Sequence, residues 1–397
     1  MRSATVTRPL IAKVSLLSAV AALTVIAAVF SGTGTASTTA PAAAVGGYIY
    51  AGSAKDTQSA RTEGSKAAGA LAAVPKGKTV GVIQLSGTSS QSIGVLATAR
   101  QIAKMFGWKV AVCDPNFDPQ KVPQCATSIL AQNPAVIFSV STNTGTMGSA
   151  YRDAIAKGIP WISVVSGVVP AKGLFDYGRD GFELSKIIDD YLIAQMRKQG
   201  GSGKHKLFAI GAPTVGIASA NSGKQLAKDV KAAGDVQLIN HDLDLSNAVQ
   251  DTLSSTEQTL QSNPDLAGTW TLCDFCLPLM AQVVQKVQGA NRKTVVAGLY
   301  ANPQAIAGIR KGTIDAVSDY PWLSSVWVGM DQVFQNLARK TPIASSKAVY
   351  GKYKLPFMKP YVLTKANVRT SGAVIPVYGP DYQTFFKAKW TKEFGVK

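Results

Sequence analysis

The sequence predicts an α/β protein built as two doubly wound parallel-sheet lobes joined by a multi-strand hinge. Three observations carry that expectation. Apolar runs of strand length alternate with amphipathic helical stretches from Lys78 onward. The alternation is written twice: Lys78 leads through strand and helix to Asn133-Pro134 and the run Ala135 to Val140, and Lys206 leads through strand and helix to Asn263-Pro264 and the run Leu266 to Leu272. With 397 residues, 46% hydrophobic and 16% charged, the chain is long enough to bury two cores rather than one.

Residues 1–44 read as an export signal. Arg2, Arg8 and Lys13 precede an uncharged apolar run from Val14 to Phe30, then small residues with cleavage points after Ala36, Ala42 or Ala44. The run is long for a signal core, so an uncleaved membrane anchor stands as the alternative. No cysteine precedes Cys113, which leaves no site for lipid attachment after the signal. The expected location is periplasmic or extracellular, with membrane association through the N-terminal segment if it stays uncleaved. Residues 45–77, rich in Ala, Gly, Ser and Thr, read as a linker with a short helix near Ala67 to Ala73.

Lobe 1 is expected over 78–178. Thr79 to Leu85 is mostly apolar, as in a strand buried on both faces. The next helix carries Ile93, Leu96, Ala99, Ile102, Ala103 and Phe106 on one face and stops at Gly107. Lys109 to Cys113 is a strand. The helix after it begins near Val122, because Pro123 fits only a first turn, and ends near Ala131. Ala135 to Val140, a helix around Met147, Tyr151 and Ile155, and Ile159 to Val165 complete the lobe.

Lobe 2, 179–319, opens with a helix patterned by Leu184, Ile187, Ile188, Tyr191 and Leu192. Its strands are expected at Leu207 to Gly211, Val236 to Asn240, Leu266 to Leu272, Val295 to Tyr300 and Ile314 to Ser318. Residues 320–348 return to lobe 1 as a long helix with Val326, Met330, Val333, Phe334 and Leu337, since this strand count leaves no free sheet face in lobe 2. The C-terminal segment, 349–397, belongs partly to lobe 2: a loop, a strand at Tyr361 to Leu363, and a docking helix bearing Tyr382, Phe385, Phe386 and Trp390. The crossings form the hinge.

The formal charge of +18 invites a nucleic-acid reading, yet residues such as Lys224, Lys228 and Lys231 are scattered along a helix, and no helix-turn-helix or zinc-finger spacing occurs. No nucleic-acid partner is expected. Catalysis is equally unsupported, because His205 and His241 are the only histidines and neither belongs to a nucleophile or metal-ligand pattern. Gly200-Gly201-Ser202-Gly203-Lys204 precedes its strand instead of following one, so it reads as a surface turn, not a phosphate loop. No catalytic residue, cofactor or metal is expected.

Four cysteines in an exported chain favour disulfides. Cys113 ends a strand and Cys125 lies on the following helix, and a bridge between them is the favoured pairing. Cys273 and Cys276 either pair locally, the favoured assignment, or form a redox C-x-x-C at a helix start. Zinc is disfavoured because only one of the two pairs has ligand spacing.

At this level the chain resembles type I periplasmic binding proteins, the ribose- and galactose-binding group that feeds ABC importers. The resemblance covers about residues 78 to 365 and rests on the strand from Val80, the helix stop Phe106-Gly107-Trp108, the strand entry Gly158-Ile159-Pro160, Asp180-Gly181 opening a helix, and the turn Gly312-Thr313-Ile314-Asp315. Cys113-Asp114 with Cys125 is similar to a subgroup carrying an extra bridge. The resemblance implies a small-molecule ligand held between lobes, an ABC permease as membrane partner and a monomeric protein.

Binding is expected where strands end and helices begin, because helix N-termini offer unpaired N–H groups there. The segments are Ser86 to Ser92, Ser141 to Thr144, Val165 to Gly167, Ala212 to Gly216, Asp274 to Phe275, Tyr300 to Asn302 and Tyr320 to Trp322. Within them the candidate contacts are Ser86, Thr88, Ser89, Ser90, Gln91, Asn143, Ser166, Asp274, Phe275, Tyr300, Tyr320 and Trp322. Asp274 has a second reading as a helix cap, and Tyr320 with Trp322 as hinge packing. The departures from the resemblance are specific. Sugar-binding relatives carry an Asp-Arg pair where this chain has Val165-Ser166, an arginine where it has none near Ala220 to Ser222, and an acid where it has Tyr300. An ordinary pyranose is therefore disfavoured, and the remaining hydroxyls, amide, carboxylate and aromatics suit a modified sugar or a weakly polar cyclic or carboxylate compound. The leading expectation is a solute-binding protein for an ABC permease; the alternative is a ligand sensor that signals to a membrane receptor kinase.

Overall fold

The structure, a computed structural model, describes residues 48–50, 54–142, 144–166, 171–178, 181–199, 203–345, 359–368, 375–377 and 381–396. Residues 1–44, read from the sequence as an export signal, Asn143 and the first part of the glycine-rich turn, 200–202, lie outside them.

Lobe 1 is laid down by β2 (Thr79–Ile83), α2 (Ser90–Phe106), β3 (Lys109–Cys113), α3 (Val122–Leu130), β4 (Val136–Val140), α4 (Thr144–Ala156), β5 (Trp161–Val164) and β6 (Leu174–Asp176). Its five-stranded sheet runs β3-β2-β4-β5-β6, every pairing parallel. β2 is buried on both faces after its first residue, which explains its unbroken apolar run. Gly107 closes α2 in the left-handed region at φ 66°, its N–H donating to the Ala103 carbonyl. Pro123 occupies the first turn of α3, as its ring requires.

Lobe 2 repeats the plan. α5 (Gly181–Arg197) enters it, followed by β7 (His205–Gly211), α6 (Ile217–Ala233), β8 (Val236–Asp242), α7 (Ala248–Ser262), β9 (Leu266–Thr271), α8 (Cys276–Gln288), β10 (Val295–Leu299), α9 (Pro303–Lys311) and β11 (Ala316–Asp319). Its sheet runs β8-β7-β9-β10-β11, the same second-first-third-fourth-fifth order as lobe 1, and β12 (Tyr361–Thr364) adds an antiparallel edge. The doubled pattern of the sequence is thus a doubled topology. In each sheet the order reverses beside the first strand, between β2 and β4 and between β7 and β9, which opens a crevice at the strand ends.

The chain crosses between lobes after β6, after β11 and again before β12. α10 (Ser324–Arg339) packs on lobe 1, where Gly329 lets the helix approach Phe138 and Ile162 so closely that a built Cβ would stand 2.8 Å from Ile162 Cδ1. Tyr177, on the first crossing, donates its hydroxyl to the Ala344 carbonyl on the third at 2.7 Å. No helix among the described residues is long and apolar enough to cross a membrane.

Four elements differ from expectation. The helix of the linker is α1 (Ala54–Ala67), ending where the sequence suggested that it begins. It forms because α11 (Tyr382–Phe394) covers it: Gly64 lies against the Phe385 carbonyl, and Lys392 donates to the Ser65 carbonyl at 3.2 Å. β6 was not foreseen, being three residues whose pairing with β5 alone makes them a strand. β1 (Tyr48–Tyr50) and β13 (Ile375–Val377) form a separate parallel pair from the two ends of the chain. α11 docks on lobe 1 through its aromatics, with Trp390 stacked on Trp327 at 5.2 Å between centroids and edge-on to Phe334 at 5.3 Å.

Both cysteine pairs are bonded. Cys113 at the end of β3 joins Cys125 on α3, Cα atoms 5.4 Å apart, and Cys273 joins Cys276 across the turn into α8, Cα atoms 5.2 Å apart. Among the described residues no cluster of His, Cys, Asp and Glu could hold a metal ion.

Candidate functional site

A cleft of about 60 Å³ lies between the C-terminal strand ends of the two lobes. Lobe 1 contributes Leu85, Ser89, Gln91, Phe117, Ser141 and Val165. Facing them from lobe 2 are Ala212, Val215, Ser219, Leu243, Leu245 and Leu272, with Cys273, Asp274, Phe275 and Tyr300. The wall is mainly apolar, interrupted by a few polar groups, as in small-molecule sites generally.

The backbone marks the same place. Phe117, Ser141, Val165 and Tyr300 all line the cleft, and all are non-glycine residues held at positive φ, between 51° and 63°. A β-branched residue such as Val165 rarely adopts that conformation, and strain of this kind clusters at functional sites where the surrounding fold over-determines it. Ser141, Val165 and Tyr300 each directly follow a strand, so the left-handed turn directs the chain across the strand ends.

The lobes touch across the cleft. Ser90, first residue of α2, donates its hydroxyl to Asp274 Oδ2. Phe117 meets Phe275 edge-on, centroids 6.3 Å apart. The Ala218 N–H at the start of α6 donates to the Ser166 carbonyl at 2.8 Å. Asp274 Oδ1 also accepts from the Phe275 N–H at 2.9 Å, and its own carbonyl accepts from Asn302 Nδ2 at 2.7 Å. Burial pushes the Asp274 carboxyl above the ordinary carboxylate range, and the Ser90 hydroxyl bond opposes that shift. Asp319, at the end of β11, is driven well above that range by burial, although it accepts from the Tyr320 and Ala301 N–H groups at 2.8 and 3.3 Å.

Of the residues singled out in the sequence, Ser89, Gln91, Asp274, Phe275 and Tyr300 line the cleft, and Ser90 bonds across it. Ser86 and Thr88 do not line it; their hydroxyls bond each other at 2.9 Å and shape the turn before α2. Ser166 is fully buried, its hydroxyl donating to Asp176 Oδ2 at 3.3 Å beneath the cleft. Tyr320 and Trp322, on the segment after β11, are buried and do not line the cleft, with Trp322 packed against Gly94 of α2. Asp274 turns out to bridge the lobes rather than to cap α8, whose N-cap position is held by Phe275 without a side-chain bond. Phe117, Leu243 and Leu245 were not singled out. They sit on the loops after the second strand of each lobe, and applying the strand-end rule there would have found them.

Known structures share this architecture. An ABC transporter solute-binding protein from Mycobacterium smegmatis, solved with bound glycerol, is 16% identical, with a TM-score of 0.62 over 76% of this chain and 100% of its own. The Caulobacter myo-inositol-binding protein, bound to myo-inositol, is 18% identical, with a TM-score of 0.63 over 74% of this chain and 96% of its own. A fructose-binding periplasmic domain of a hybrid two-component system is 18% identical, with a TM-score of 0.61 over 73% of this chain and 92% of its own. No curated protein sequence matches the chain. The family model described as a periplasmic binding protein domain matches residues 80–341, more than half of the sequence. With two parallel-sheet lobes of identical strand order around a cleft, the chain belongs to the type I periplasmic binding proteins.

Proposed function

We propose that the protein captures a small molecule between its lobes outside the cytoplasm and delivers it to an ABC permease. The observation that carries this reading is the cleft itself: strand ends from both lobes line one apolar space, and Ser90 and Phe117 reach from one lobe to Asp274 and Phe275 of the other. A ligand lodged there contacts both lobes, so its binding energy favours the closed form that a permease recognises. Export by the N-terminal segment and action as a monomer belong to the same reading.

The ligand we infer is cyclic and weakly polar, or a modified sugar. Ser89, Gln91, Ser141, Ser219 and Asp274 are few for a molecule with a hydroxyl on every carbon, and each hydroxyl buried without a partner costs about 1–3 kcal/mol. Ligand contacts are assigned to the cleft-lining Ser89, Gln91, Asp274, Phe275 and Tyr300.

The test is a thermal-shift screen of the full chain against sugars, polyols, cyclic amines and carboxylates, since a ligand that binds only the folded state raises the melting temperature. Tyr300→Ala and Phe275→Ala should abolish the shift while leaving the fold intact by circular dichroism. No shift with any compound or with a cell extract defeats the reading.

A sensor is the second reading, favoured by the resemblance to a periplasmic domain of a two-component system. Uptake of labelled ligand lost on deletion of the gene assigns transport; intact uptake with loss of a transcriptional response assigns sensing.

A further inference from the structure

Among the described residues lining the cleft there is one acidic side chain, Asp274, and no lysine, arginine or histidine. That imbalance runs against the composition, since the chain carries 41 Lys and Arg against 23 Asp and Glu. Three aromatic rings accompany the carboxylate: Phe117 from lobe 1, and Phe275 and Tyr300 from lobe 2. Gln91, only 7% exposed, faces the same space and makes no hydrogen bond to any described residue. The Gln91 amide is thus available to a ligand group beside an acid and three rings.

We propose, on the basis of the capture function above, that the cleft selects a ligand bearing a positively charged amine on a cyclic or compact apolar frame, with Asp274 as counter-ion and Phe117, Phe275 and Tyr300 presenting their ring faces to the cation. Aromatic faces attract cations through their quadrupoles, and the attraction grows where water is excluded. A carboxylate ligand meets the opposite situation: it loses hydration, finds no cation on the described walls and meets the acidic Asp274. A neutral polyol lacks repulsion but leaves hydroxyls against leucine and valine. The bond from Ser90 then has a second use. It leaves Asp274 Oδ1 committed only to the Phe275 N–H, and holds the carboxylate at the seam where both lobes reach it.

The experiment compares three isosteres by calorimetry on the full chain: cyclohexylamine, cyclohexanol and cyclohexanecarboxylate, each with the wild type and with Asp274→Asn, which preserves shape, keeps an acceptor for the Phe275 N–H and lets the Ser90 hydroxyl accept from the new amide. The expected result is that the amine binds at least about tenfold more tightly than the alcohol and that the asparagine variant erases this preference. Equal binding of amine and alcohol, tighter binding of the carboxylate, or an amine preference that survives in Asp274→Asn overturns the proposal while leaving small-molecule capture standing. Failure of all three to bind overturns it too, and the thermal-shift screen then decides separately whether the cleft captures anything.

Discussion

Asp319 illustrates how a single side chain links the cleft to stability. Its carboxylate is wholly buried and accepts from the N–H groups of Ala301 and Tyr320, so it ties the loop after β10 to the segment after β11. Burial lifts it well above the ordinary carboxylate range, as it does Asp189 on α5, and lifts Asp274 also. Groups whose folded pKa is raised contribute stability that is complete below the unfolded value, about 3.9 for Asp, and is lost as pH rises through the folded value. The melting temperature should therefore increase on acidification through the raised folded values of these groups, before the surface pairs are lost near about pH 4. Asp319→Asn should flatten that slope, and a slope identical to wild type would assign the effect to other groups. Lys389 makes the opposite case. It is 1% exposed and pairs with Asp331 at 2.6 Å and Glu393 at 2.5 Å, so Lys389→Ala removes the buried cation between two buried carboxylates, leaving Asp331 with Trp390 Nε1 and Glu393 with Arg339. Urea unfolding should report a loss of about 3–5 kcal/mol. Neither network was legible in the sequence, because partners such as Lys389 and Asp331, 58 positions apart, meet only once α10 and α11 pack.

Elements were read well where one period dominates and poorly where a neighbour decides. β3 was expected over Lys109 to Cys113 and occupies those residues, since a five-residue apolar strand announces itself. α1 was displaced because its own sequence has little apolar periodicity and its helicity depends on α11, a contact more than three hundred residues away. Gly64 is the test of that dependence. A Cβ there would stand 2.1 Å from the Phe385 carbonyl oxygen, so Gly64→Ala should push α1 off α11 despite alanine's better helix propensity. Faster proteolysis in residues 54–67, with the rest of the chain intact, is the expected readout. The Cys113–Cys125 bridge acts at the same scale, fastening the end of β3 to α3 across a separation of 12 residues. Replacing both cysteines by alanine should lower unfolding free energy by about 3 kcal/mol, measured as the shift in denaturant midpoint, on the chain-entropy account of a loop this long.

At the scale of the whole molecule, the doubled strand-and-helix alternation was legible because it repeats along the chain, whereas the cleft's contents were only half legible, because whether a strand-end residue faces the ligand or the core is settled by the opposite lobe. Trp322 faces inward since α2 presents Gly94 to it, and Ser90 faces outward since Asp274 stands across the gap. The contact between Ser90 and Asp274 gives closure a measurable handle. A hydrogen bond to a charged group contributes about 1.5–3 kcal/mol, comparable to the few kcal/mol that separate open and closed states in hinged proteins. Ser90→Ala leaves the helix cap intact, because Ser89 supplies it, and so removes the interlobe bond without unwinding α2. The free variant should therefore be more open, with a larger radius of gyration by small-angle scattering, while the ligand-saturated variant returns to the dimensions of the closed wild type. Affinity should fall by about tenfold or more, in step with the lost closed fraction, because only the closed conformation completes the site. Unchanged scattering together with unchanged affinity would place closure in the aromatic contact of Phe117 with Phe275 and in the Ala218 to Ser166 bond, and would leave the Ser90 hydroxyl with a merely local part in orienting Asp274.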